Sequence, residues 1–188
     1  MRVIAGEAKG RTLVAPKGNT TRPATDRIRE TLFAILEPTL PGARVLDLFA
    51  GAGTLGIEAL SRGAAHATFV EREAGAVDAL RKNLGTTGFA ARSALVSAHV
   101  LSFLERGGPA ASYDLVFVDP PFADLAVLDA VLAHASLARS LAPGATVVAR
   151  VLRKHPPTAP PSAHVMRTKE IGEEDLIFLR YSDAGGGG

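Results

Sequence analysis

Four consecutive residues, Asp119, Pro120, Pro121 and Phe122, close the apolar run Leu115-Val116-Phe117-Val118 with a carboxylate, two rigid rings and an aromatic face. Packing alone does not call for that ending. A carboxylate oxygen and a neighbouring carbonyl oxygen can each accept one N–H of the same amino group. That draws a delocalised amine toward tetrahedral geometry and aims its lone pair at an electrophile. The prolines fix φ and remove competing backbone donors, leaving a rigid carbonyl. Phe122 offers a stacking face for a planar base drawn out of its helix.

A second set of residues could hold the group to be transferred. Gly51, Gly53 and Gly56 form G-x-G-x-x-G directly after an apolar run that contains Asp47, and Glu71 stands twenty residues after Gly51. This is the spacing of a nucleotide-binding turn between a strand and a helix, with an acid placed for ribose hydroxyls. Asp47 separates two ligands. Beside the pyrophosphate of a dinucleotide its charge repels. S-adenosylmethionine has no phosphate, and its ammonium group attracts a carboxylate, so the loop favours the methyl donor.

Both sets need a scaffold that brings them to one edge. From residue 44 onward, short aliphatic runs at 45–49, 67–71, 94–97, 115–118 and 146–151 alternate with helical patterns at 55–62, 74–84, 100–106 and 125–141. Repeated strand-helix-strand units predict an α/β, Rossmann-like, mostly parallel doubly wound sheet with ligands outside the carboxyl ends of its strands. Residues 2–5 and 11–15 read as a small hairpin, followed by a helix at about 25–36. Residues 164–171 and 176–181 read as an antiparallel pair closing the sheet edge. The expected division is a basic hairpin and helix over 1–40, a catalytic domain over 41–182 and a flexible tail over 183–188.

With 188 residues, 47% of them hydrophobic, the chain can bury a full core. It has no cysteine, which removes disulfides and thiolate metal sites. The five histidines lack metal-ligand spacing, so no metal is expected. No stretch approaches about 18 uninterrupted apolar residues, and the first residues lack the apolar core of a signal peptide. We expect a soluble, cytoplasmic protein. Net charge is only +2, but residues 1–30 carry seven cations (Arg2, Lys9, Arg11, Lys17, Arg22, Arg27 and Arg29) against Glu7, Asp26 and Glu30. Such an arm can neutralise phosphates of a nucleic acid or serve only as a solvated surface.

Several of these stretches carry a family resemblance. Asp119-Pro-Pro-Phe122 resembles the [DNS]-P-P-[FYW] motif of amino-methyltransferases acting on nucleic-acid bases, and the stretch from Asp47 to Leu60 resembles their donor-binding loop. Together with R-V-I-A-G-E-A-K-G-R at the start and R-P-A-T-D-R-I-R-E-T-L-F over 22–33, the chain to about Tyr181 resembles the RsmD family, which methylates N2 of one guanine in 16S ribosomal RNA. The resemblance implies that Asp119, Pro120, Pro121 and Phe122 hold the target amine. It implies that Asp47, Phe49, Ala50, Gly51, Gly53, Glu71, Arg72, His99, Val100 and Asp119 hold S-adenosylmethionine. Arg22, Thr25, Asp26, Arg27, Arg29 and Glu30 match a segment lying over the active site, and Arg2, Lys9, Arg11, Arg22, Arg27 and Arg29 are the expected RNA contacts. The expected partner is 16S rRNA, bare or within a small-subunit assembly particle, and the expected state is a monomer.

Two positions depart from the family pattern. His99 stands where relatives usually place Asp or Asn to accept from the adenine amine; a neutral imidazole can accept that bond and an imidazolium cannot. Arg150 stands after the fifth strand, where relatives often carry an acid. Rival readings stay open at this point. A dehydrogenase would use the same glycines but leaves Asp119-Pro-Pro-Phe122 unexplained, and an RNA-binding module would use the arm but not the donor loop. Within methyltransferases the alternative target is adenine N6 in DNA or RNA, which the same motif serves.

Overall fold

The computed structural model describes residues 1–16, 24–121 and 125–182. Seven strands, β1 (Arg44–Leu48), β2 (His66–Glu71), β3 (Ser93–Ser97), β4 (Tyr113–Val118), β5 (Leu141–Leu152), β6 (Ala163–Ile171) and β7 (Glu174–Tyr181), form one sheet. Their order is β3-β2-β1-β4-β5-β7-β6. β1 to β5 are parallel, and β7 runs antiparallel to both β5 and β6. The order reverses between β1 and β4, so the crevice beyond their carboxyl ends is the topological switch point where such sheets bind ligands.

Side-chain alternation divides the core between the two faces of the sheet. On one face Val45, Phe69, Leu115, Phe117, Val148, Leu176 and Phe178 are covered by α1 (Asp26–Leu36), α2 (Thr54–Ser61) and α3 (Ala74–Thr87). On the other, Leu46, Leu48, Val116, Val118, Val147 and Leu179 are covered by α4 (Val100–Glu105), α5 (Leu125–Leu132) and α6 (Ala135–Ser140). This parity decides the site. Asp47, Glu71, Asp119, Arg150 and Glu174 each stand two residues from a member of the first face, so all five fall on the α1–α3 side at the carboxyl edge.

α1 starts where Thr25 caps it, its hydroxyl accepting from the Ile28 N–H at 3.3 Å. Ile28, Leu32 and Leu36 recur at every fourth position and are buried with Phe33, whose ring meets Phe117 edge-on at 5.9 Å. The arm before α1 is tied to α2 as well as to itself. Glu58, fully buried, accepts from the N–H groups of Ile4 and Ala5 at 2.8 and 3.0 Å, and Ser61 Oγ accepts from the Ala8 N–H at 2.9 Å.

The N-terminal hairpin is short: the bridge between Arg2 and Thr12 is flanked by backbone bonds from the N–H groups of Val3, Gly10 and Leu13 to the carbonyls of Arg11, Val3 and Met1. One expectation about an element is corrected. The helix expected over 125–141 is two short helices. His134 breaks it by capping α6, its Nδ1 accepting from the Ser136 N–H at 3.2 Å, and the chain is already extended at Leu141, which pairs with Tyr113 before the register shifts to Leu115–Thr146. Among the described residues no helix is long and apolar enough to cross a membrane.

Candidate active site

The turn after β1 is shaped by backbone conformation. Phe49 adopts φ +67°, a left-handed conformation that is unusual for a residue with a bulky side chain and is stored mainly at functional loops. Gly53 follows at φ +82° and is the N-cap of α2. The third glycine permits close packing: a Cβ on Gly56 would stand 2.3 Å from Phe69 Cε1, so either α2 or the Phe69 ring would have to shift.

Two acids hold this turn from below. Asp47, 1% exposed, accepts the Gly56 N–H on Oδ2 at 2.9 Å. Glu71 accepts the Gly51 N–H on Oε2 at 2.8 Å and the N–H groups of Arg72 and Glu73 on Oε1, each at 2.8 Å. Three of its roughly four acceptor sites are thereby used, with the open one on Oε2. A third support escaped sequence reasoning. Asn83, on the buried face of α3, donates to the carbonyls of Ala52 (2.9 Å) and Val14 (3.0 Å) and accepts the Val14 N–H (2.8 Å), joining loop to arm. Its signal was an amide on the apolar stripe that carries Ala76, Leu80 and Leu84.

Asp119 follows Val118 at the end of β4, 15% exposed in its side chain, with Pro120 buried and Pro121 half-buried behind it. Its Oδ1 accepts from Arg150 Nε at 2.7 Å. Ala24, Ile28 and Leu32 of the α1 region, with Leu55, Phe117, Val148 and Leu176, wall a small recess that Asp119 and Arg150 also line. The start of α1 thus overhangs the ends of β4 and β5. Acids outnumber cations at this edge. Burial pushes the Asp47 carboxyl up to about 8, the Gly56 N–H opposes this, and the neighbouring charges of Asp119 and Glu71 push it further. Burial also raises Asp119, against the opposing Arg150 guanidinium. A cationic ligand is what such an edge stabilises; a pyrophosphate meets repulsion.

Other expected site residues are distributed as follows. Ala50 donates its N–H to Val70 at 3.0 Å, inside the loop. Arg72 and His99 are exposed above Glu71, with Arg72 Nη1 3.3 Å from His99 Nδ1. Since a guanidinium only donates, this contact makes Nδ1 the acceptor and leaves the ring proton on Nε2. The acceptor role expected for His99 therefore requires Arg72 to leave Nδ1. Val100 opens α4 and is buried. Of the expected RNA contacts, Arg2, Lys9, Arg11 and Arg27 are exposed. Arg29 is not: at 1% exposure it pairs with Asp26 (2.8 Å) and Glu58 (3.7 Å), a core position from which no phosphate can be reached. Phe122 and Arg22 lie outside the described residues.

The sheet order, the antiparallel β7 and the acidic, glycine-bearing turn at the switch point define the Rossmann-like fold of class I S-adenosylmethionine-dependent methyltransferases. The chain belongs to the family described as "Conserved hypothetical protein 95", whose model it matches over residues 1–180. The resemblance to the RsmD family is borne out by relatives. "Ribosomal RNA small subunit methyltransferase D" of Escherichia coli (strain K12) is 46% identical over 123 residues, 65% of this chain and 60% of that protein. The chain thus aligns with about three-fifths of that curated relative's length. The solved structure "Putative methyltransferase yhhF from Escherichia coli" superposes with a TM-score of 0.85 at 37% identity, covering 97% of this chain and 98% of that one. An RNA methyltransferase from Salinibacter ruber in complex with S-adenosyl-L-homocysteine shares the fold, at 16% identity and a TM-score of 0.62 over 84% of this chain and 92% of that one.

Proposed function

We propose that this protein transfers a methyl group from S-adenosylmethionine to the exocyclic N2 amine of a guanine in 16S rRNA of the small ribosomal subunit, acting as a monomer in the cytoplasm on bare RNA or on an assembly particle. The observation that carries this reading is the convergence of the carboxyl groups of Asp47, Glu71 and Asp119 at the switch-point edge, next to a glycine turn. S-adenosylmethionine, when bound, supplies an electrophilic methyl group on a cationic sulfur. Asp47 and the Gly51–Gly53 turn would hold its amino-acid end, and Glu71 would meet its ribose through Oε2. These residues fit a cation better than a phosphate, which turns the reading away from a dehydrogenase.

The substrate side rests on Asp119 and Pro120. Asp119 Oδ2, the oxygen not engaged by Arg150, accepts one N–H of the target amine while the Pro120 carbonyl accepts the other. Together they localise the nitrogen lone pair toward the methyl group. The apolar recess under α1 gives an extruded base a dry wall. The names of the relatives support ribosomal RNA as the substrate.

Asp119→Ala tests the assignment. Turnover should fall by about two orders of magnitude or more, because the bond develops mainly in the transition state. Calorimetry should find donor binding nearly unchanged. Equal losses of donor affinity and turnover would remove Asp119 from the amine site.

A further inference from the structure

Arg150 links three strand ends through one guanidinium. Val118 of β4 stands opposite Ala149 of β5, so the next residue on each strand brings Asp119 beside Arg150. On the other side Arg150 stands opposite Leu176 of β7, and Glu174, two residues away, shares its face. Nε lies 2.7 Å from Asp119 Oδ1 and Nη1 lies 3.2 Å from Glu174 Oε2. The three side chains are only 8%, 15% and 13% exposed, so these are charge-assisted bonds in a poorly solvated place. There a planar, two-armed donor fixes direction as well as charge.

On the reading of Asp119 given above, we infer that Arg150 is a positioning residue for methyl transfer: braced against Glu174, it holds Asp119 ionised with Oδ1 engaged and Oδ2 presented to the target amine. The need for it follows from the surroundings. Asp119 shares its edge with Asp47 and Glu71, and burial raises its proton affinity. A protonated Asp119 would present an O–H that competes for the nitrogen lone pair instead of accepting an N–H. Arg150 opposes that protonation and removes the freedom of the carboxylate to rotate. Glu174 keeps the guanidinium from swinging wholly onto Asp119, and it shares part of the cation's charge.

The two neighbours therefore act on Asp119 in opposite senses, which a purely structural brace would not do. Activity requires ionised Asp119, so it falls as pH drops through that group's titration. Arg150→Met removes the opposing cation and should move the acid limb of the kcat profile to higher pH. It should also lower kcat at neutral pH by about tenfold or more, the scale of one buried charge-assisted bond, with the donor Kd within about twofold. Glu174→Gln should move the same limb to lower pH. Arg150→Lys, which keeps the charge but loses the fork, should hold the limb near its wild-type place while lowering kcat, and it serves if the Met variant does not fold. In an Asp119→Asn background, which cannot titrate, the acid limb itself should disappear and neither change should restore it. Methyl transfer to rRNA is the readout, with Asp119→Ala run beside these variants. If Asp119→Ala keeps its turnover, the assignment of Asp119 fails and the inference falls with it. If Asp119→Ala loses turnover but the folded Arg150 and Glu174 variants leave the limb unmoved, or move it in the same direction, the inference alone is overturned.

Discussion

Asp47, proposed above to hold the amino-acid end of the donor, costs the folded protein stability. Its carboxyl is raised to about 8 by burial, so between the ordinary carboxylate range and pH 8 the folded chain holds a proton that the unfolded chain has released. Its stabilising contribution is complete at low pH and is lost as pH rises through about 8. Asp47→Asn, which can still accept the Gly56 N–H, should therefore raise the melting temperature of the ligand-free protein at pH 8 much more than at pH 5, while weakening donor binding. Equal melting shifts at both pH values would mean that Asp47 is ionised in the free protein. Legibility at this scale followed sheet geometry. Asp47, Glu71 and Asp119 could be read as one site because parallel strands deliver their ends to one edge. Arg29 was misread because a charge count does not register burial beside Glu58, and the partners of Arg150 require a strand register that one-dimensional spacing does not contain.

Within elements, α2 carries the contacts that fix the glycine turn after β1. Gly56 lets it approach Phe69, and Glu58, one turn's reach from the arm, holds Ile4 and Ala5 along with Arg29 and Arg62 (3.7 and 2.8 Å). Gly56→Ala should cost about 1–3 kcal/mol by overpacking against Phe69 and should weaken donor binding by displacing the Gly56 N–H from Asp47. Urea unfolding and donor calorimetry check both; an unchanged midpoint would show that the ring gives way freely. Strands and helices of the sheet were legible because aliphatic runs and helical stripes alternate with glycine stops. The break at His134 was not, since a histidine cap inside a continuous apolar pattern leaves no periodic trace. The docking of the arm was not legible for a related reason: beside its own hairpin bonds, its Ile4, Ala5 and Ala8 N–H groups are satisfied by Glu58 and Ser61, more than fifty residues away in sequence.

For the whole molecule, the exposed part of the arm separates an RNA enzyme from one acting on small molecules. Neutralising Lys9, Arg11 and Arg27 together should lower the slope of log RNA affinity against log salt by up to about two to three units, roughly 0.7 to 0.9 per lost phosphate contact, and leave donor binding in place. Arg29→Ala should instead lower the melting temperature, because it leaves Glu58 and Asp26 without their shared cation. An unaltered salt slope in the triple variant would make the arm a solvated surface. The fold class was legible from composition and alternation, whereas the substrate rested on four residues and a resemblance. The substrate is therefore the claim to test: incubate the purified protein with S-adenosylmethionine carrying a labelled methyl group and with small-subunit rRNA or particles from cells lacking this gene, then map the label by mass spectrometry. Methyl on N2 of a single guanine in 16S rRNA, abolished by Asp119→Ala, is the predicted result; label on adenine N6, or none on either RNA or particle, would contradict it.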